Sequence, residues 1–230
     1  VTTVALTLLI GAAANGQPPP QATPEQRVAT LKQWLQASQA QLRAYEWIET
    51  TTVAKGGEQK SKTEKRCYYG ADGKLQKLPI SSGESGPAPP SGPLKKKVAE
   101  RKKEELTAYM KQAVELVHAY LPPDPARIQQ AVSTGRLNVT PLDGGRRVRL
   151  QFRDYLKAGD TLAVEIDNAT NRLIGMQVSS YLQDSADVVL LNVGMGVLQD
   201  GTIYTARTQL DTKAKDLAVI VENTGYRRRG

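Results

Sequence analysis

The sequence predicts an α+β fold in which a strongly curved antiparallel sheet of about ten strands, an unclosed half-barrel, packs helices on its concave face. Short segments that alternate apolar and polar residues recur at roughly 8 to 14 residues, with turn signals between them. Only three segments have helical spacing, and strands and helices do not alternate as in a parallel sheet. Three helices can cover the apolar face of so many strands only if the sheet bends around them.

The N-terminal segment, residues 1–16, is predicted to be a secretory signal. It has no charged residue, an apolar run at 4–10 and small residues at 11–14. Residues 17–22 form a Pro-rich spacer, and 23–230 form a single domain. The expected location is therefore the periplasm or the exterior. In an exported protein the lone Cys67 is either a buried, inert thiol or an intermolecular disulfide partner.

The first half of the domain combines a helix with a three-stranded unit. Thr23 and Pro24 are suited to the start of a helix whose apolar residues run from Val28 to Leu42. Three strands are predicted at 45–54, 60–69 and 74–80, followed by a flexible Ser/Gly/Pro loop at 81–93.

Two helices and the longer series of strands follow. The second helix is predicted at 95–121, before Pro122, and the third begins after Asp124 and ends near Val132. The remaining strands are predicted at 137–142, 146–155, 161–167, 172–183, 188–198, 202–211 and 216–222. Glycines 175, 194 and 196 would allow strong curvature.

Composition excludes several classes of function. The 230 residues include one Cys and one His, which exclude an internal disulfide, a thiolate zinc site and a multi-histidine metal site. His118 lies on a helix flank without a recognisable catalytic partner. The formal charge is +8, and the basic run at 95–103 lacks the interleaved aromatic residues of a nucleic-acid site. We therefore expect no enzyme, cofactor, metal or nucleic acid.

The predicted segments follow a definite order: a signal, an amphipathic helix, strands that begin Tyr45-Glu46-Trp47-Ile48-Glu49, a helical interruption and a long antiparallel meander. This order resembles that of the LolA/LolB-like periplasmic lipoprotein carriers. The resemblance is one of architecture and covers nearly all of the mature chain. It implies that acyl chains bind between the sheet and its helices. Because no Cys follows the apolar run, the chain looks more like the soluble carrier than the lipid-anchored receptor.

The predicted function is non-enzymatic binding or carriage of a lipid, lipoprotein or other apolar ligand. The partners expected are that ligand or an acylated protein, together with an anionic membrane surface, and the protein is expected to be a monomer. Facing patterns give the predicted lining of the ligand site, which comprises Trp47, Met110, Val114, Leu150, Phe152, Met176, Leu191, Val193 and Met195.

The alternative function is a cell-envelope sensor or protein-interaction module with a filled core and a basic outer face. Val148, Leu150 and Phe152 point to one side of their strand, and basic residues point to the other. The partner contacts would then be Arg147, Arg149 and Arg153.

Overall fold

The protein is described by a computed structural model that covers residues 26, 33, 36–83, 93–121 and 123–229. This part of the chain contains one ten-stranded antiparallel sheet and three helical segments. The strands are β1 Tyr45–Lys55, β2 Glu58–Tyr69, β3 Leu75–Gly83, β4 Leu137–Leu142, β5 Arg147–Arg153, β6 Thr161–Asp167, β7 Leu173–Tyr181, β8 Val188–Val197, β9 Ile203–Thr212 and β10 Leu217–Arg228. The helices are α1 at 36–42, α2 Pro93–His118 and α3 Pro125–Ser133.

The strand order is β3-β2-β1-β10-β9-β8-β7-β6-β5-β4. Two antiparallel meanders, β1 to β3 and β4 to β10, are joined through the pairing of the first strand with the last. The edge strands β3 and β4 do not pair with each other, so the sheet is an unclosed half-barrel. The fold class predicted from the sequence is therefore confirmed.

The hydrophobic core lies between the helices and the strands from β5 to β9. Ala113 and Val117 of α2 and Ile128 of α3 are buried there against one face of the sheet. In β5 the buried residues are Val148, Leu150 and Phe152, as the alternation predicted. The core cluster contains no residue of β10, β1, β2 or β3 among the described residues.

The ends of α2 and α3 follow from local sequence. Helix α2 ends at His118, before the pair of prolines at 122 and 123. Helix α3 begins with Pro125, and the Asp124 side chain accepts a hydrogen bond from the backbone N–H of Ala126 at 2.9 Å. The predicted N-cap at Asp124 is thus confirmed.

Some strand limits differ from the prediction. The last strand was predicted at 216–222, but it continues to Arg228 because it pairs with β1 along its whole length. A bulge at Gly225, whose φ is +63°, shifts the register between the two strands. β3 extends to Gly83 and α2 begins at Pro93. The predicted signal, spacer and helix start lie outside the described residues.

The three glycines expected to allow curvature are not equivalent. A Cβ at Gly175 would lie 2.6 Å from the carbonyl oxygen of Val193, and one at Gly196 would lie 2.5 Å from the Tyr204 ring. A Cβ at Gly194 would meet nothing nearer than 4.0 Å. Close approach of the neighbouring backbone therefore requires glycine at 175, whereas at 196 a Cβ would displace the Tyr204 ring.

Candidate functional site

The residues predicted to line a ligand site fall into three environments. Leu150, Phe152, Leu191 and Val193 are buried in the core, where Met110, Met176 and Met195 pack against them as partly buried residues. Trp47 is buried in a separate aromatic cluster. Val114 is 40% exposed on the outer side of α2. The structure thus brings seven of the nine residues together, where the second half of α2, which carries Met110, packs on the sheet.

That half of α2 is fixed to the sheet by polar contacts as well as by packing. Just past the helix end, the Tyr120 hydroxyl donates to the carboxylate of Asp160 and lies 2.7 Å from the Ser180 hydroxyl. One turn before the core contacts, the Tyr109 hydroxyl donates to Asp187 in the β7–β8 loop. Burial and the neighbouring Asp187 carboxylate raise the pKa of Tyr109 to about 12, and burial also raises the pKa of Tyr120.

These contacts establish the direction of α2. Tyr120 lies beside the β5–β6 loop, whereas the ring of Tyr109 lies beside the β7–β8 loop and within 5.8 Å of Lys215 Nζ in the β9–β10 turn. Followed from its C-terminus to its N-terminus, α2 therefore crosses the end of the sheet from β5 towards β10. At 1.5 Å per residue, residues 96–105 extend roughly 6 to 20 Å beyond Tyr109 in that direction.

This projecting half of α2, residues 96–105, has almost no contact with the sheet. Every side chain from Lys96 to Glu105 is exposed except the half-buried Ala99, and Val98 is 54% exposed. By helical spacing, Val98, Ala99 and Lys102 continue the stripe that becomes the core-facing side of α2 at Leu106 and Met110. Within the described part of the chain, the sheet-facing side of the projecting half therefore stays exposed.

Beyond β9 none of the described helices buries the same face of the sheet. Leu210 of the core pairs with Val219, and Val219 pairs with Val53, so these three side chains share one face. Leu210 is buried, but the other two are only half-buried. We call this region the open strip; it consists of Thr51 and Val53 of β1, Ser61 and Thr63 of β2, and Val219 and Val221 of β10.

An ion pair and an aromatic cluster bound the open strip at one end. On the same face of β1, the Glu49 carboxylate lies 2.6 Å from Lys77 Nζ. Beyond it, the Trp47 ring stacks on Tyr226 at 5.4 Å, and its indole N–H donates to Asn223 at 3.0 Å. Burial raises the pKa of Tyr226. The open strip therefore runs from this polar boundary to the β1–β2 and β9–β10 turns.

Cys67 lies directly opposite Trp47 in the β1–β2 pairing. It is a free thiol, fully buried, and burial raises its pKa. Both features favour the protonated, unreactive thiol.

The outer face of the sheet carries the arginines predicted to bind a partner. Arg149 donates to the Glu165 carboxylate at 3.0 Å, and Arg147 lies between Asp143 and that same carboxylate. Arg153 is exposed, and no ion pair forms at it among the described residues. A shallow hollow of about 140 Å³ lies beside Arg149, between it and Asn192 of β8.

The remaining chemistry of the described residues is sparse. No group of three or more His, Cys, Asp or Glu side chains there could hold a metal ion. His118 is exposed at the end of α2. Among the helices that the structure describes, none is both long enough and apolar enough to span a membrane.

Sequence patterns missed the open strip and its boundary. The signal was present in β10, where residues 217–221 are apolar at every position rather than at alternate ones. A strand of this kind is apolar on both faces. The pairing of Glu49 with Lys77 depends on the register of three strands and has no signature in the sequence.

Comparison with known proteins finds similarity among solved structures. No protein-family model matches the sequence, and no curated protein matches it. A DUF1329 family protein from Desulfovibrio piger is 9% identical, with a TM-score of 0.40 over 89% of this chain and 91% of that one. A LolA superfamily protein from Nitrosomonas europaea is 8% identical, with a TM-score of 0.35 over 87% of this chain and 94% of that one.

Proposed function

We propose that this protein is an exported, non-enzymatic carrier that binds an acyl chain or a similar apolar ligand between the open strip and the projecting half of α2. The observation that supports the proposal is the unequal cover of one continuous sheet face. From β5 to β9 that face is buried under helices, whereas at Val53, Val219 and Val221 it is only half-buried.

The energetics of such binding are adequate. Each methylene removed from water contributes about 0.8 kcal/mol, so eight methylenes contribute about 6 kcal/mol before the cost of ordering the chain. The open strip carries valine and threonine side chains rather than charges, and the ion pair of Glu49 with Lys77 lies at its end. A flexible aliphatic chain suits this surface better than a polar ligand does.

The residues predicted from the sequence extend the proposed site. Met110, Met176 and Met195 are partly buried and pack against the core. Methionine side chains adapt to irregular apolar ligands. A longer chain that crosses β9 from the open strip would reach Met195 of β8 first. It would contact Met176 and the buried Leu150, Phe152, Leu191 and Val193 only if the second half of α2 moved away from the sheet.

The test compares two lysine substitutions on neighbouring residues of β10. Val219→Lys places a charge in the open strip, and Ile220→Lys places the same charge on the opposite face; both residues are half-buried. The probe is N-phenyl-1-naphthylamine, whose fluorescence rises in an apolar site. We expect Val219→Lys to reduce probe affinity at least tenfold, and Ile220→Lys to change it less than threefold.

Equal affinity in the two variants, or no probe binding by the wild-type protein, would overturn the proposal. Native mass spectrometry of protein purified from its own host, followed by organic extraction, is the second measurement. A co-purified lipid or acylated peptide would support carriage directly.

We infer a second candidate function, a protein-interaction module, from the filled core between β5 and β9. Its working surface would be the outer face with Arg147, Arg149 and Arg153. Because Glu165 pairs with the first two arginines, Arg153 is the one whose charge is available to a partner. Arg153→Glu should weaken capture of an envelope partner and leave probe binding unchanged, whereas Val219→Lys should do the reverse.

A further inference from the structure

We propose that one end of the molecule docks on an anionic lipid bilayer through a basic rim built from the projecting half of α2 and two strand turns. The rim is defined by eight exposed basic residues: Lys96, Lys97, Arg101, Lys102 and Lys103 of α2, Lys55 beside the β1–β2 turn, and Lys213 and Lys215 of the β9–β10 turn. Docking through the rim would turn the ligand site towards the bilayer, and that consequence rests on the proposed function, whereas the docking itself does not.

The rim is a single surface because α2 crosses the sheet end at which these turns lie. Lys215 Nζ lies 5.8 Å from the centre of the Tyr109 ring. The β9–β10 turn therefore lies against α2 one helical turn after Glu105, the last residue of the projecting half. The β1–β2 turn lies next along the same sheet end, where the backbone N–H of Gly56 donates to the carbonyl oxygen of Asp216 at 2.9 Å. Turn and helix lysines therefore lie on one side of the molecule.

The charge of the rim is not neutralised within the part of the chain that the structure describes. None of its eight basic residues forms an ion pair there, although many other basic residues do. The acidic residues among or beside them are Glu100, Glu104, Glu105, Asp216 and Asp187, which binds the Tyr109 hydroxyl, so the rim carries a net charge of +3, from eight basic and five acidic residues. Glu58, beside the β1–β2 turn, pairs with Lys60 instead.

A flat bilayer fits this arrangement better than a single bound anion does. By helical spacing, the basic side chains of α2 project around the helix rather than converging on one point. Neither of the two best-formed hollows in the described part of the chain is lined by a residue of the rim. Basic residues that lie near an anionic membrane surface each add to binding, and they act additively without fixed partners. The open strip begins beside the same turns, so docking would place the proposed ligand site next to the lipid.

The test measures co-sedimentation of the full chain with vesicles of phosphatidylcholine alone or with 30% phosphatidylglycerol. The variant Lys96→Glu/Lys103→Glu reverses two charges seven residues apart on one side of the projecting half. The control Lys74→Glu/Arg172→Glu makes the same change in net charge in two turns at the opposite end of the sheet, where both residues are exposed.

We expect the wild-type protein to bind the phosphatidylglycerol vesicles at low salt, and to lose binding at 0.5 M salt because of screening. The rim variant should bind at least about 30-fold more weakly, and the control less than threefold more weakly. No binding by the wild-type protein, or equal weakening by the two variants, would overturn the proposal.

The probe assay in vesicle-free solution separates this proposal from the proposed function. The variant Lys213→Glu/Lys215→Glu changes the rim in the β9–β10 turn, outside the projecting half of α2 and outside the open strip. Normal uptake of N-phenyl-1-naphthylamine by this variant, together with weaker sedimentation with vesicles, supports docking as a distinct property. Vesicle binding without any probe uptake would refute the carrier and leave the docking surface standing.

Discussion

Removal of the Asp160 carboxylate should be among the most damaging single changes outside the apolar core. Asp160 is 1% exposed and accepts hydrogen bonds from the backbone N–H groups of Tyr155, Leu156 and Lys157 and from the Tyr120 hydroxyl. It thereby connects the end of α2 to the β5–β6 loop.

The expected cost follows from the donors left without a partner. Asp160→Ala leaves the Tyr155 N–H buried and unsatisfied, at about 1 to 3 kcal/mol. The Tyr120 hydroxyl loses its carboxylate partner but keeps the Ser180 hydroxyl at 2.7 Å, and the N–H groups of Leu156 and Lys157 are on half-buried residues that water can reach, so these three donors add less. We expect Asp160→Ala to lower the free energy of unfolding by about 2 to 4 kcal/mol. Tyr120→Phe, which removes one donor and keeps the carboxylate, should cost about 1 to 2 kcal/mol.

The double variant gives a sharper test than either single change. The hydrogen bond between the phenol and the carboxylate is lost in each single variant but only once in the double variant, so the double variant should cost about 1 kcal/mol less than the sum of the two singles. The assay is urea unfolding followed by circular dichroism, with the slope m compared between variants. Asp184→Ala is the control, because among the described residues that exposed carboxylate accepts a hydrogen bond only from the N–H of Ala186.

The reasoning would be refuted if Asp160→Ala cost no more than Asp184→Ala, or if the double variant were fully additive. Either result would mean that the four donors find other partners when the carboxylate is absent.

Two further predictions concern backbone packing and pH. Gly175→Ala should lower the free energy of unfolding, measured by urea titration, by about 1 to 3 kcal/mol, because its Cβ would meet the Val193 carbonyl oxygen at 2.6 Å. The control Gly194→Ala should change it by less than about 1 kcal/mol. Equal effects of the two substitutions would contradict the close approach. Hydrogen bonds from Tyr45 and Thr202, with Arg228 nearby, hold the pKa of Asp200 below its usual range. A lowered folded-state pKa adds stability above the unfolded-state pKa near 4, and this stability is lost as pH falls below that value. The melting temperature of Asp200→Asn should therefore fall less between pH 5 and pH 2 than that of the wild-type protein. An unchanged dependence of the melting temperature on pH would contradict this prediction.

Much of the architecture could be predicted because each strand carries its own pattern. Alternation in β5, with Val148, Leu150 and Phe152 on one side, identified the buried face before any pairing was known. Asp124 and Pro125 identified the start of α3 through local capping chemistry. The long end of β10 could not be predicted in this way, because Asn223 to Arg228 has no alternation, and its strand structure comes from pairing with β1.

The site was less predictable, for a physical reason. A facing pattern tells which side of a strand is apolar, but it does not tell whether a helix lies over that side. Leu191 and Val219 were therefore equivalent in the sequence, although one is buried in the core and the other is half-buried in the open strip. Trp47 was assigned to the ligand site, but in the fold it belongs to an aromatic cluster with Tyr226.

The sequence by itself determined the strand and helix content, the facing of most strands, the basic run in α2 and the presence of only one Cys and one His. These properties are local, because they depend on residues a few positions apart. The tertiary structure decided which part of the sheet α2 covers, which charges meet across strands, and which glycines are required. Each of these depends on residues brought together from distant positions, as when Tyr120 reaches Asp160 and Val53 pairs with Val219.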